Sequence, residues 1–203
     1  CYIISINELE ILILCVSEEN NRINETWKKH PHYKDLNMSK NLVCDLYNDP
    51  EKLSTIFIYR NFILDSNFNP SLLFSDLNLK NKVFSRIKTI NSIQYKIENY
   101  YKNHQQGKIP INKCLNDLIG IRIILEEDVT LSQISEWIKK EFPELKVIPA
   151  YRNEYKAIHV YFGKGNSYLF QWELQIWLKK DSSTNLASHR EYKQEYVKWE
   201  QNN

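Results

Sequence analysis

A chain of 203 residues, 42% hydrophobic and 26% charged, holds enough apolar material for one mixed domain with a real core, at most extended by extra helices. Lys and Arg number 27 against 25 Asp and Glu, so a formal charge of +2 excludes an overall polycation and leaves only a local basic patch for any nucleic acid. The four cysteines, Cys1, Cys15, Cys44 and Cys114, lack CxxC or metal-ligand spacing, which predicts reduced thiols in a cytoplasmic protein and not a disulfide framework.

The apolar opening YIISINELEILILCV contains Glu8 and Glu10 and has no basic leader. It therefore fits neither a signal peptide nor a membrane span, and it reads as a core helix. A chain beginning with Cys1 and not Met is consistent with a trimmed N-terminus. Residues 1–80 are expected to form a helical region packed on the core, interrupted by HPHYKDLN, NDPEK and NFNPS. Pro50 behind Asp49 suits a first helical turn. Leu53, Ile56, Phe57, Arg60 and Ile63 then space like a helix with a wide apolar face, although the β-branched residues leave a partly strand reading open.

From Lys82 to His104 the residues Val83, Ile87, Ile90, Ile93 and Ile97 recur at three or four, leaving Arg86, Lys88, Ser92, Lys96 and Lys102 off the stripe. This predicts a cationic row on one side of a helix. Alone, such a row is equally a solvated face.

After a loop with Gly107 and Pro110, LIGIRIILEE reads as a buried strand in which Arg122 needs an anion. Asp117, just ahead of it, either caps a turn or faces a cleft where a carboxylate holds a divalent cation. LSQISEWIKKEFPEL places Leu131, Ile134, Trp137, Ile138 and Phe142 at helical spacing and stops at Pro143. KVIPAY, EYKAIHVYFG and YLFQWELQIWL read as strands, with GKGNS turning between the last two.

Period two puts Tyr155, Ala157, His159 and Tyr161 on one face of their strand, and Glu173, Gln175 and Trp177 on one face of theirs. If both rows look into one cleft, an aromatic ring, an imidazole and a carboxylate converge; otherwise they are packed core residues. The expected class is α/β (α+β), a mixed sheet of about five strands flanked by helices, with residues 81–203 as the core of a single compact domain. No Walker-type glycine loop, HExxH or nucleophile elbow is present, and with 4 glycines any phosphate site must rest on side chains.

In chain order, Arg86-x-Lys88-x3-Ser92-x3-Lys96, Asp117 ahead of LIGIRIIL, Tyr155-Lys156-x2-His159, Glu173-x-Gln175 and ASHREYK resemble the motif set of the RelA/SpoT-type nucleotide pyrophosphokinases, the small alarmone synthetase superfamily. Each motif is weak alone; the ordered set, over Arg86 to Lys193, is specific. The resemblance implies a nucleotidyltransferase-like fold and transfer of the β,γ-pyrophosphate of ATP to a ribose 3′-hydroxyl with Mg²⁺. It implies that Arg86 contacts the adenine, that Lys88, Ser92, Lys96 and Arg122 hold the ATP phosphates, and that Asp117 and Glu173 are catalytic and bind Mg²⁺. Tyr155 would stack on the acceptor base, with His159 and Gln175 ordering that side.

Where the family usually carries Lys and Asn-Gly before the tyrosine, and Arg-Thr after Glu-x-Gln-Ile, this chain has Tyr151-Arg152-Asn153-Glu154 and Trp177-Leu178. Cations around a free GDP or GTP are thereby thinned. That resembles the toxin-like branch, which modifies the 3′-terminal adenosine of tRNA and is neutralised by an antitoxin protein. A (p)ppGpp synthetase using GDP or GTP and an inactive nucleotide- or RNA-binding module remain the alternatives. A tRNA acceptor needs a local patch. Lys28 and Lys29, with His30, His32 and Lys34, are candidates, extended by Arg152, Lys156 and Lys164 if the fold brings them near; a solvated loop is the other reading. The end at KWEQNN predicts no tetramer-building helices, and the first 80 residues show no His-Asp pair of a hydrolase domain, so synthesis without reversal is expected.

Overall fold

The computed structural model describes residues 3–66, 68, 83–125, 129–163 and 165–201. Its centre is a six-stranded mixed sheet made of β1 (Ile3–Ile4), β2 (Val83–Ile87), β3 (Ile119–Leu125), β4 (Lys146–Arg152), β5 (Tyr155–Phe162) and β6 (Trp172–Leu178). β3 pairs in parallel with β1 and with β6, and antiparallel with β2; β6, β5 and β4 follow as antiparallel neighbours. The expected mixed sheet with flanking helices is therefore the fold, with the two-residue β1 and the edge strand β2 added to the four strands read from the sequence.

Alternation along the strands decides which face is which. Ile119, Ile121, Ile123 and Leu125 of β3 are buried, while Gly120, Arg122 and Ile124 are partly open. The core side continues through Ile158, Val160 and Phe162 of β5 and Leu174 and Ile176 of β6. Register then sets the other side: Gly120 lies beside Glu173, Arg122 beside Gln175, Gln175 beside His159 and Glu173 beside Tyr161. That face is polar across three strands.

α1 (Ile6–Trp27) opens at Ser5, whose hydroxyl accepts the Glu8 N–H while the Glu8 carboxylate accepts the Ser5 N–H. The opening apolar stretch is thus strand first and helix second. Trp27 at the end of α1 is fully buried and packs its ring against Tyr59, Phe62 and Phe170. α2 (Val43–Asn48) precedes α3 (Pro50–Asp65), which starts as the sequence suggests: the Asp49 carboxylate accepts from the N–H groups of Glu51 and Lys52, and Pro50 fills the first turn. The partly strand alternative is not what forms. Tyr59 of α3 also accepts the Trp172 indole N–H at 3.2 Å, tying α3 to the central strand.

The single helix expected from Lys82 to His104 is instead β2 followed by α4 (Ile90–Asn103); Lys82 lies outside the described residues. Val83 and Ile87 misled the periodicity because a separation of four is one helical turn and also two strand repeats. Thr89 is the break, in extended backbone with its hydroxyl accepting the Ser92 N–H. The short α5 (Ile111–Cys114) leads into β3. α6 (Leu131–Glu141) begins in a Thr130–Gln133 capping box and ends at Phe142, ahead of Pro143. α7 (Ser182–Gln201) packs on α4 through Trp199, whose indole donates to Glu98, and through Tyr95 against Tyr196 and Trp199.

Cys15, Cys44 and Cys114 are free thiols. Among the described residues no helix is long and apolar enough to cross a membrane.

Candidate active site

The polar sheet face carries two connected clusters. In the first, β2 lays Arg86 across Gly120, which has no side chain to obstruct it. Lys88 follows in the β2–α4 turn. Its N–H bonds to Leu118 O at 2.8 Å, and its carbonyl accepts Arg60 Nε at 2.8 Å, so the backbone is held from both sides. Lys96 arrives from the second turn of α4, and Asp117 from the residue pair preceding β3.

Lys88 Nζ stands 2.6 Å from Asp117 Oδ2, Lys96 Nζ 2.9 Å from Asp117 Oδ1, and the Arg86 guanidinium 3.7 Å from Asp117 Oδ2. Burial by itself would raise the Asp117 pKa; Lys96 and Lys88 outweigh it and hold the carboxyl well below the usual range. Burial lowers Lys88 below its ordinary value even with Asp117 beside it, whereas for Lys96 the pull of Asp117 overcomes burial and raises it. Three cations thus converge on one buried carboxylate.

The second cluster is a hydrogen-bonded chain. Glu173 Oε1 lies 3.0 Å from both Tyr161 Oη and His159 Nδ1, and Glu173 Oε2 accepts Gln175 Nε2 at 2.7 Å. His159 Nε2 is 3.0 Å from Tyr155 Oη, which in turn accepts the Trp177 indole N–H at 3.2 Å. A proton on His159 Nδ1 completes the donor sequence from Trp177 through Tyr155 and His159 to Glu173. Burial opposes ionisation of Glu173, as does Asp117, but His159 and Gln175 prevail and hold its carboxyl below the ordinary value. Asn116 Nδ2 donates to Tyr161 Oη at 3.2 Å, so the residue next to Asp117 joins the two clusters.

Arg122 is met by aromatic rings: its guanidinium lies 4.2 Å from the Trp177 ring centroid and 5.5 Å from that of Phe84, and Nε donates to Gln175 Oε1 at 3.2 Å. Burial brings its pKa down to about 10.

Two carboxylates are hard oxygen donors of the kind that hold Mg²⁺ together with substrate phosphates and water. Among the described residues no three His, Cys, Asp or Glu side chains gather as a closed metal cage. Asp117 Oδ1, Asp117 Oδ2 and Glu173 Oε2 each accept one hydrogen bond and keep a second lone pair, whereas Glu173 Oε1 is taken up by Tyr161 and His159. The donor set fits a cation that brings most of its ligands with it.

Arg86, Lys88, Lys96, Asp117, Arg122, Tyr155, His159, Glu173 and Gln175 are thus brought to one face. Ser92 sits at the first turn of α4 with its hydroxyl oxygen accepting from Thr89. Tyr161 and Asn116 are the additions; period two had put Tyr161 on the right face, and nothing in the sequence pointed to Asn116. The side chains of His189, Tyr192 and Lys193 in ASHREYK lie outside the described residues.

The fold does not bring Arg152 beside the candidate patch of Lys28 and Lys29. Lys28 pairs with Glu25 at 2.5 Å, one turn beyond Asn24, which with Asn20 lies against Gly163 at the exit of β5. Arg152 lies across from Tyr155, at the other end of that strand. At a rise of about 3.3 Å per residue the length of β5 separates them by roughly 23 Å. Lys29 continues the Lys28 end, and Lys164 lies outside the described residues.

A family model described as "Region found in RelA / SpoT proteins" matches residues 85–196, more than half of the chain. Among solved structures, the small alarmone synthetase 1 of Bacillus subtilis is 19% identical over 56% of this chain and 63% of its own length, with a TM-score of 0.38. The small alarmone synthetase 2 of Bacillus subtilis is 16% identical over 70% and 80%, with a TM-score of 0.41. Synthetase 1 bound to its product pppGpp is 15% identical over 74% and 78%, with a TM-score of 0.36. This chain thus spans less than two thirds of the first of these. A search of curated proteins found no match.

Proposed function

Because the chain belongs to the RelA/SpoT family, we propose that it is an ATP-dependent pyrophosphokinase that moves the β,γ-pyrophosphate of ATP to a ribose 3′-hydroxyl. The observation that carries the reading is the convergence of Arg86, Lys88 and Lys96 on Asp117, beside a Glu173 held ionised by Tyr161, His159 and Gln175.

The reaction forms a bond from the ribose oxygen to the β-phosphorus and breaks the bond between that phosphorus and the α,β-bridging oxygen, releasing AMP. Charge grows on the phosphate oxygens, and preorganised cations are the means of stabilising it. Lys88, Lys96 and Arg122 would supply them, with Ser92 at the α4 N-terminus as a further phosphate partner and Arg86 bordering the adenine. The lysines must exchange Asp117 for phosphate when ATP enters. Glu173, ionised and buried, takes the proton of the attacking hydroxyl. Asp117 and Glu173 would hold Mg²⁺, which supplies neutralisation of the triphosphate when bound.

Tyr155, fixed by Trp177 and His159, offers a face for the acceptor base; such stacking contributes about 1–3 kcal/mol and tolerates base identity. Tyr151-Arg152-Asn153-Glu154 and Trp177-Leu178, standing where the family carries further cations, leave fewer positive charges for a free nucleotide's phosphates, which supports the 3′-terminal adenosine of tRNA as acceptor. The activity would be that of a cytoplasmic translation-blocking toxin, with an antitoxin protein as partner. The separation of Lys28 and Lys29 from Arg152 favours the second reading, a (p)ppGpp synthetase using GDP or GTP.

The test is incubation with γ-³²P-labelled ATP and Mg²⁺ alongside deacylated tRNA, GDP or GTP. Label on tRNA alone supports the first acceptor, label on a guanosine nucleotide alone supports the second, and no transfer to any of them sinks the pyrophosphokinase reading.

A further inference from the structure

Asn185 is a fully buried polar residue that the proposed chemistry does not use. It stands in the first turn of α7, and its carboxamide grips the backbone of Lys156: Oδ1 accepts the Lys156 N–H at 2.9 Å, and Nδ2 donates to the Lys156 carbonyl at 2.8 Å. The ladder between β5 and β6 runs from Phe162 opposite Trp172 to Ile158 opposite Ile176. Two residues beyond Ile158, Asn185 takes the place of a further β6 residue, since a carboxamide carries the same donor and acceptor as a peptide unit. Lys156 directly follows Tyr155, which leaves a turn where Asn153 has a φ of 51°. The backbone under the acceptor platform is therefore held from α7.

The other end of α7 holds the donor side. Asn91 Nδ2 donates to Glu200 Oε1 at 2.8 Å, the Tyr95 ring centroid lies 5.4 Å from those of Tyr196 and Trp199, and the Trp199 indole donates to Glu98. Asn91, Tyr95 and Glu98 share one face of α4. Asn91 and Tyr95 are each followed at once by a residue of the phosphate side, Ser92 and Lys96. At about 1.5 Å per residue, Asn185 and Trp199 lie roughly 21 Å apart along one helix. α7 thus grips both the strand that carries Tyr155 and the helix that carries Lys96.

We infer that α7 is a strut that sets the acceptor platform of Tyr155 at a fixed reach from the phosphate side of α4, with Asn185 and Trp199 as positioning residues at its two ends. The inference rests on the pyrophosphokinase reading and holds for either acceptor. Each residue acts through another: Asn185 through the Lys156 backbone, Trp199 through Glu98 and Tyr95. The sheet joins β3 to β5 through β6, while α4 lies outside it; the strut ties α4 to β5 directly. Transfer needs the ribose oxygen and the β-phosphorus closely aligned, and a displacement of about 1 Å caused far from the chemistry costs up to about 10²-fold in rate.

The experiment is label transfer from γ-³²P-labelled ATP to whichever acceptor the wild type uses, with equilibrium binding of a non-hydrolysable ATP analogue, for Asn185→Ala, Trp199→Phe and the double variant of the full chain. Trp199→Phe keeps a ring beside Tyr95 and removes the donor to Glu98. Should Asn185→Ala fail to fold, Asn185→Asp, which keeps the shape and removes the amide donor, takes its place. Asn185→Ala is expected to raise the acceptor KM on the order of tenfold with ATP-analogue affinity unchanged, and Trp199→Phe to weaken the analogue several-fold. Each should lower kcat on the order of tenfold. The double variant should fall no further than the worse single, because a strut released at one end no longer transmits; independent anchors would multiply their losses. Unchanged kcat in both single variants, or multiplied losses in the double, overturns the strut while label reaching an acceptor leaves the enzymatic reading standing. A wild type that labels no acceptor overturns the pyrophosphokinase reading, and the strut with it.

Discussion

Lys88 Nζ and Asp117 Oδ2 meet at 2.6 Å inside the protein, brought together across 29 positions of sequence by the turn after β2 and the residues before β3. A buried charge pair costs desolvation on both sides, so its loss is asymmetric: deleting one partner strands the other. Asp117→Asn leaves both Lys88 and Lys96 without their counter-charge. We expect a loss of about 3–5 kcal/mol in urea unfolding. A change below about 1 kcal/mol, within the range of exposed pairs, would count against this account.

Both carboxylates are held below their ordinary values in the folded state, from 3.8 for Asp117 and 4.5 for Glu173. A depressed carboxyl contributes stability that is fully present above its unfolded pKa and is lost as pH falls through the folded one. Stability should therefore decline on acidification from about pH 5 downward. The Glu173→Gln variant should show a shallower decline, measured by urea midpoints at successive pH values. Parallel curves for wild type and variant would remove Glu173 from the acid response.

Glu173→Gln keeps the shape of the side chain and removes the base. Label transfer from ATP to any acceptor should fall on the order of 10² to 10⁴-fold in kcat, with ATP-analogue affinity changed far less. Retained turnover would exclude Glu173 as the proton acceptor.

Trp177→Phe retains a ring over Arg122 but removes the N–H that donates to Tyr155 Oη. With Tyr155 less firmly held, KM for the acceptor should rise several-fold while the ATP term stays level, because a single hydrogen bond contributes about 1 kcal/mol. An equal rise for ATP would mean that Trp177 acts through Arg122 instead.

Trp27 is a measure of how firmly the N-terminal helices are joined to the sheet. Trp27→Ala should cost about 3–5 kcal/mol, since the ring fills the space between α1, α3 and Phe170. A two-step melt with the site still able to bind the ATP analogue would show instead that these helices unfold on their own.

The strands were readable because their chemistry alternates. β3 shows buried Ile and Leu at every second position, and the same period puts Glu173 with Gln175 and His159 with Tyr161 on one face of their own strands, while only the register brings the two pairs together. The region of Arg86 and Lys88 reads as helix in the sequence but forms β2, since Val83 and Ile87 satisfy both repeats and only the Thr89 cap distinguishes them. The link through Asn116 was invisible, because a pairing across 45 positions leaves no local pattern. The conditional extension of the Lys28 and Lys29 patch to Arg152 was not legible for a related reason: composition finds cations, but only the path of α1 and β5 says which end of the sheet they occupy.

Among the described strands β6 comes last in sequence, and it sits between β3 and β5. During synthesis the earlier strands emerge from the ribosome with a gap where it belongs, and the edges of β3 and β5 have open hydrogen-bonding groups until residues 172–178 arrive. Glu173 is on that strand, and His159 and Tyr161 have no carboxylate to hold before it inserts. The cluster around Asp117 draws only on residues 86–117 and can form first, whereas the hydrogen-bonded chain around Glu173 waits for β6, so the two halves of the site are completed in a fixed order.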